Sequence, residues 1–179
     1  FRQGKGWTYE GGIRVPHIVK WPGVTQPGSV SKVQTIGTDH YPTMLQMAGL
    51  ELMPEQHVDG RSYIQALKGE DYQRDGMFWY SHTARPDSTG DTRGMAYTEG
   101  RYKIHEWFDE DSIELYDLDN DPGELNDLSK QMPEKTKELH DKMLAMEESI
   151  GNYRKQGLRS TQKRLEKKNN PKKKSKAKH

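Results

Sequence analysis

Residues 4–23 read GKGWTYEGGIRVPHIVKWPG, and this stretch decides how the chain is interpreted. The glycines around Lys5 allow the backbone to approach an anion closely, as in a phosphate-binding loop. However, a Walker loop closes on Gly-Lys-Ser/Thr directly before a helix, whereas Gly4-Lys5-Gly6 opens this stretch and a strand is predicted to follow. A nucleotide site is therefore disfavoured. Spacing alone leaves two interpretations of Lys5, a solvated lysine in a turn or an anion-binding lysine.

The residues that follow the loop alternate as in a strand. The strand is predicted from Ile13 to Trp21, with Pro22-Gly23 as its end and Pro16 at an edge, a bulge or the strand's start. Two short helices are predicted next. The first covers residues 40–48 after a cap at Asp39, and the second runs from Ser62 to Gly69.

From Gly76 the hydrophobic pattern changes to period two. It predicts four strands, at residues 77–80, 93–98, 102–108 and 113–118, with a hairpin turn at Glu99-Gly100. Apolar positions then recur at alternating steps of four and three, which predicts an amphipathic helix that begins near Pro133. We expect this helix to lie on a small antiparallel sheet.

Alternate carboxylates in Asp117-Leu118-Asp119-Asn120-Asp121 resemble part of a calcium loop. An EF-hand requires glycine at its sixth position and glutamate at its twelfth, where this chain has Pro122 and Leu128. The segment is therefore predicted to be a turn. The chain has no cysteine, which excludes disulfides and thiolate chemistry within it, and no apolar run is long enough to span a bilayer.

Charge is distributed unevenly along the chain. Residues 163–179 contain nine lysine and arginine residues and one acid, a net charge of +8. Since the whole chain has a net charge of +1, the remaining residues have a net charge of −7. A segment this basic, with Leu165 as its one sizeable apolar side chain, is predicted to be disordered. It is either a solvated extension or an attachment site for a polyanion such as nucleic acid, anionic lipid or a sulfated glycan.

Several segments together resemble the type I, formylglycine-dependent sulfatase family, in an arylsulfatase-like form. The resemblance covers residues 4–150 in the family's order and rests on Gly4-Lys5-Gly6, Tyr9-Glu10-Gly11-Gly12, Arg14, Pro16, Trp21-Pro22-Gly23, Asp39-His40-Tyr41-Pro42-Thr43, Ala48-Gly49, Asp59-Gly60-Arg61-Ser62, Tyr102-Lys103, Glu114-Leu115-Tyr116-Asp117-Leu118 and Asp121-Pro122-Gly123-Glu124. It implies an α/β class and the C-terminal part of an alkaline-phosphatase-like fold. Residues 1–70 would end the large domain, 71–152 would form a sheet-and-helix subdomain, and 153–179 would be a disordered basic tail.

The resemblance also implies roles for particular residues. The lysine at the position of Lys5 binds the sulfate oxygens in this family, so Lys5 is the candidate catalytic and substrate-binding residue. His82, beside the aromatic run Phe78-Trp79-Tyr80, resembles a histidine at the substrate pocket of glycan-directed members and is a second substrate-binding candidate. Glu10 and Arg14 are interpreted as structural residues that position the loop through charge-assisted hydrogen bonds.

The family's remaining machinery has no counterpart in this sequence. Its formylglycine arises from a Cys/Ser-x-Pro-x-Arg sequence, which does not occur here, and its calcium ligands also belong to an N-terminal part. We therefore expect a fragment that is inactive alone, with sulfated small molecules or carbohydrates as substrates of the intact enzyme. A signal peptide would lie upstream if the enzyme is periplasmic or secreted, as the family implies.

Two alternatives remain open. A phosphodiesterase or phosphonate hydrolase of the same superfamily would share this architecture, and the identity of the nucleophile would decide between them. A non-catalytic module that keeps the fold and binds polyanions through residues 163–179 is the alternative from a different functional class.

Overall fold

A computed structural model describes residues 1–85 and 88–151 of the chain. It divides into two units, one formed by Phe1–Arg14 with the chain from Gly76 onward, the other by Val15–Asp75. The predicted disorder of residues 153–179 lies outside the described residues. The assignment of residues 1–70 to a larger α/β domain stays a prediction, but residues 1–14 group with the sheet and not with the residues that follow them.

The first unit begins with a loop and a single helical turn, α1 (Glu10–Ile13). The strand predicted from Ile13 to Trp21 is wrong, because α1 ends at Ile13 and residues 15–75 contain no strand with which these residues could pair. Alternating side chains favour a strand only where a partner supplies hydrogen bonds and a covered face. Here Val15 and Ile18 are 74% and 91% exposed.

The unit formed by residues 15–75 contains the two predicted helices, α2 (His40–Met47) and α3 (Ile64–Leu67). Asp39 was predicted to cap the first, yet its side chain makes no cap bond to α2. The buried carboxylate instead accepts hydrogen bonds from the backbone N–H groups of Ile36 and Arg61, both at 2.9 Å, and from the Arg74 guanidinium at 2.5 Å. Asp39 thus joins the three segments that surround α2.

Four strands form one antiparallel sheet, which confirms the predicted sheet. They are β1 (Met77–Ser81), β2 (Gly94–Glu99), β3 (Tyr102–Trp107) and β4 (Ser112–Asp117), paired in that order. Gly100 turns the β2–β3 hairpin with a φ of 59°, a conformation that glycine adopts at little cost. The predicted turn after β4 is also present, and there Asp117 bonds Arg101 and does not take part in a metal cluster of the described residues.

The long helix α4 (Pro133–Ser149) packs on the sheet, as predicted. Proline suits its first position, where the missing N–H costs no hydrogen bond. Leu139 and Met143 are fully buried against Met95, Ile104 and Leu115 of the strands. Within the described residues, no helix is long and apolar enough to cross a membrane.

Candidate anion-binding loop and its buried support

Lys5 lies in a tight turn at the start of the chain. The Trp7 N–H donates to the Gly4 carbonyl at 3.1 Å, and Gly6 adopts a φ of 108°, which favours glycine strongly. The Lys5 side chain is exposed. Its ammonium has no carboxylate partner among the described residues, so it is available to an anion from outside.

The turn is fixed by backbone packing against α1. The Gly11 N–H donates to the Arg2 carbonyl at 3.2 Å. A Cβ at Gly12 would lie 2.6 Å from the Gly4 carbonyl oxygen, closer than real Cβ atoms come. The two glycines therefore let the helical turn press directly on the loop that carries Lys5.

A buried charge cluster, formed by Glu10, Lys103, His105 and Glu124, holds α1 against β3 and the turn after β4. Lys103 Nζ lies 2.9 Å from Glu10 Oε1 and 3.0 Å from Glu124 Oε1. The Glu10 N–H donates to Glu124 Oε2 at 2.5 Å. Lys103 and Glu124 are fully buried, so these charges depend on one another for compensation.

His105 completes the cluster as a neutral ring. Burial lowers the pKa of His105, although its hydrogen bond to Glu124 acts in the opposite direction. Because a carboxylate only accepts, Nε2–H donates to Glu124 Oε1 at 2.9 Å, and Nδ1 then accepts from the Thr8 hydroxyl at 3.2 Å. Burial alone would raise the pKa of Glu124, but the hydrogen bond from His105 and the charge of Lys103 outweigh it and lower that pKa.

Aromatic side chains enclose the cluster. Tyr9 packs on Trp107 and Tyr116, with ring centroids 5.1 Å and 6.4 Å away, and its hydroxyl donates to Glu114 at 2.5 Å. Burial, followed by this hydrogen bond, raises the pKa of Tyr9 far above its usual range. The Arg2 guanidinium lies 4.2 Å from the centre of the Tyr9 ring. These contacts keep water from the buried charge cluster.

The loop between β1 and β2 carries His82 and comes next to the Lys5 turn. The Trp7 indole N–H donates to the Thr89 carbonyl at 3.1 Å, which joins the two loops. His82 is exposed and its ring stacks on Tyr80, with centroids 6.4 Å apart. None of the polar or ring contacts found in the described part of the chain joins His82 to Lys5.

Sequence reasoning found the loop but missed most of its support. The interpretation of Glu10 as a structural residue agrees with its place in the buried charge cluster, although its close partner is Lys103 and not Arg14, which lies 3.5 Å away and is half exposed. The sequence patterns assign His105 no role. Glu124, nineteen residues later, becomes its partner only through the fold. The one signal was that Lys103 and Glu124 fall within the segments that carry the family resemblance.

Comparison with known proteins gives one family. A family model described as N-sulphoglucosamine sulphohydrolase, C-terminal, matches residues 3–149. A sulfatase of Formosa agariphila is 37% identical over 143 residues, which are 72% of this chain and 25% of that protein. Human arylsulfatase A is 33% identical over 147 residues, 69% of this chain and 27% of that protein.

A solved structure gives the same result for the fold. That protein, determined in complex with its substrate D-glucosamine-2-N,6-O-disulfate, has a TM-score of 0.63 and 23% identity over 75% of this chain and 28% of its own. At this identity the likeness concerns the fold alone. The chain thus spans about a quarter of the length of the relatives it matches.

Proposed function

This chain belongs to the sulfatase family and corresponds to its C-terminal portion, within an alkaline-phosphatase-like fold, and from this premise we propose that Lys5 binds the sulfate of a sulfate ester during hydrolysis. The whole protein would be a sulfuric ester hydrolase. Lys5 would contribute a fixed positive charge, while the nucleophile and the metal would come from residues outside these 179.

The observation that carries the proposal is the contrast between Lys5 and its surroundings. The ammonium has no carboxylate partner in the part of the chain that the structure describes, while the turn that carries it is held by glycine packing and, through α1, by the buried charge cluster. Charge stabilisation in a transition state is most effective when the group is already in position, because no reorganisation then opposes it. A supported turn with an exposed lysine meets this requirement better than a flexible surface lysine would.

The chemistry of sulfate esters fits an ammonium at this point. The ester carries one negative charge, which shifts toward the leaving oxygen as the S–O bond breaks. A compact, strongly charged ammonium that lies close to the leaving oxygen as well as to the sulfate can stabilise this developing charge. Lys5 would thus bind the ground state and stabilise the transition state further.

The nucleophile and the metal ligands that begin the reaction are not supplied by the residues described here. The described residues contain no cluster of three or more histidine or carboxylate side chains that could hold a cation, and the sequence lacks the precursor of formylglycine. Calcium and formylglycine are general properties of the family and would be supplied elsewhere in a longer polypeptide. We therefore assign this chain no step that forms or breaks the ester bond.

Sulfated carbohydrates are the substrate class that we favour. The neighbour of known structure was solved with a disulfated glucosamine, and His82 lies on an aromatic ring at the end of β1. Aromatic rings beside polar side chains are typical of ligand sites that fix orientation. In this proposal His82 contacts the sugar or the leaving oxygen.

The test is Lys5→Ala in the complete gene product, assayed with glucosamine 6-O-sulfate. We expect kcat/KM to fall on the order of 10²-fold, because loss of one preorganised oxyanion partner usually costs this much. Lys130→Ala, which also removes an exposed lysine from the sheet-containing unit, is the matched control and should retain full activity. Equal activity of the two variants would remove Lys5 from the site, and failure of the parent protein to hydrolyse any sulfate ester would refute the proposed function.

A further inference from the structure

A second cation lies against the turn that carries Lys5. A Cβ built on Gly6 would be 3.0 Å from a terminal guanidinium nitrogen of Arg85, 2.7 Å from the Thr89 hydroxyl oxygen and 3.1 Å from Asp91 Cγ. The Arg85 guanidinium therefore packs beside Gly6, the residue directly after Lys5, where no larger side chain would fit. Arg85 lies three residues beyond His82 in the same loop.

Arg85 is held on one edge only. Its backbone N–H donates to Asp91 Oδ1 at 3.2 Å, and its Nε and one terminal nitrogen donate to Asp91 Oδ2 at 3.3 and 3.4 Å. Asp91 is 1% exposed and also accepts from the Thr89 hydroxyl, so it is a fixed anchor. The Arg85 side chain is 46% exposed, and Asp91 is its one carboxylate partner among the described residues.

This arrangement leaves donors available. A guanidinium has five N–H donors in a planar fork, of which Asp91 occupies one edge, so the remaining donors can take an anionic oxygen pair. Lys5 has no carboxylate partner within residues 1–85 and 88–151, and Asp91 offsets one of the two positive charges. Two cations with one buried carboxylate make a local excess of positive charge that an anion would relieve.

We propose that Arg85 binds a second anionic group, a sulfate or a carboxylate, on the same substrate molecule whose scissile sulfate Lys5 binds. Lys5 directly precedes Gly6, and the Arg85 guanidinium lies 3.0 Å from the Cβ position of Gly6, so in this proposal two anionic substituents of one monosaccharide unit contact the two side chains. Arg85 is then a specificity-determining residue that favours doubly anionic sugars. This inference rests on the proposed role of Lys5 and adds a property that the role itself does not require.

The experiment compares glucosamine 2-N,6-O-disulfate with glucosamine 6-O-sulfate as substrates of the complete gene product. We expect Arg85→Ala to lower the preference for the disulfated sugar, as a ratio of kcat/KM values, by about tenfold, which is typical of one charge-assisted hydrogen bond. The loss should appear in KM for the disulfated sugar, with kcat unchanged, because the second group does not react. Arg85→Lys keeps a charge beside Asp91, loses the fork, and should show an intermediate loss.

Arg101→Ala is the matched control. Arg101 is also an arginine paired with an aspartate, Asp117, and 40% exposed, but it lies at the β2–β3 turn, at the opposite end of the sheet. The control should leave the preference unchanged. If Arg85→Ala slowed both sugars equally, or changed neither, the second anionic site would be refuted while the sulfatase proposal would stand. If the parent protein hydrolysed a simple aryl sulfate but neither bound nor hydrolysed either sugar, the second anionic site alone would be refuted, whereas a parent protein that hydrolysed no sulfate ester would refute both proposals.

Discussion

His105 lies in the middle of β3, with both ring nitrogens hydrogen-bonded and no exposed surface. A charged imidazolium there would face Lys103 at close range in a medium of low polarity. The neutral form avoids this repulsion and still donates to Glu124. His105 thus connects Thr8 and Glu124 through two hydrogen bonds. The folded state favours the neutral form of its ring.

The stability of the chain should consequently fall in mild acid. The pKa of His105 is lowered by burial, so below the usual histidine pKa of about 6.5 the unfolded chain binds a proton that the folded chain does not. The contribution of neutral His105 to the free energy of unfolding is fully present above about pH 6.5 and is lost as the pH falls toward the lowered pKa. The pKa of Glu124 is also lowered, and its contribution disappears only at more acidic pH, below the usual carboxyl range of about 4 to 5.

The check is urea unfolding between about pH 7.5 and about pH 5.5, for the parent chain and His105→Gln. Glutamine keeps a donor for Glu124 and does not titrate. The unfolding free energy of His105→Gln should therefore change less with pH than that of the parent, by at most about 1.4 kcal/mol per pH unit. His17, whose pKa is also lowered by burial, is present in both proteins and cancels in the comparison. Parallel profiles would show that His105 titrates normally.

At the residue scale, the sequence identified Lys5 because a lysine among glycines is a local pattern. The exposure of that lysine also follows from its own neighbours. Lys103 could not be found in this way, since a lysine in a strand is normally read as a solvent-facing residue. Its burial depends on two carboxylates that lie 93 residues before it and 21 residues after it, and only the assembled fold brings the three together.

At the element scale, the buried charge cluster connects α1 to the sheet. Lys103→Met should destabilise the chain by about 3–5 kcal/mol, because it leaves the Glu10 and Glu124 carboxylates buried without their cation. The free energy of urea unfolding measures this, and hydrogen exchange at the Glu10 and Gly12 amides should rise as α1 loosens.

Lys137→Met is the matched control for that experiment. Lys137 pairs with Asp141 on the surface of α4, and such exposed pairs contribute about 0–1 kcal/mol. The two variants remove the same charge and add the same side chain, so the difference between them isolates burial. A loss for Lys103→Met no larger than the control's would mean that α1 is held by glycine packing and aromatic contacts alone.

The elements themselves differed in how well they could be predicted. The four strands have turn residues at their ends and a covering helix whose apolar face matches them, so local signals and packing agree. The run from Ile13 to Trp21 has the same alternation, but residues 15–75 contain no strand for it to pair with, and it forms no strand. A hydrophobic period is therefore not enough to predict an element. The rest of the chain must also provide a surface for that element to cover.

At the scale of the whole molecule, the two units differ in how completely they cover their apolar side chains. The sheet and α4 enclose one core, while the unit of residues 15–75 leaves Ile18, Val30 and Val58 at least 80% exposed. Apolar side chains exposed in such numbers are typical of surfaces that pack on another part of a protein. This agrees with relatives that are about four times as long as their matched segment.

The basic segment 163–179 belongs to this scale because its net charge of +8 offsets the −7 of the rest of the chain. Its nine lysine and arginine residues should bind double-stranded DNA or heparin by counterion release, so log K should fall linearly with log salt concentration. Deletion of residues 163–179 should abolish this binding and leave the urea unfolding midpoint unchanged, since the sheet and α4 end at Ser149. Replacing Lys172, Lys173 and Lys174 by glutamine should reduce the salt slope in part. Equal affinity after deletion would place the polyanion site on the folded part of the chain, where Lys5 and Arg85 are the cations to change next.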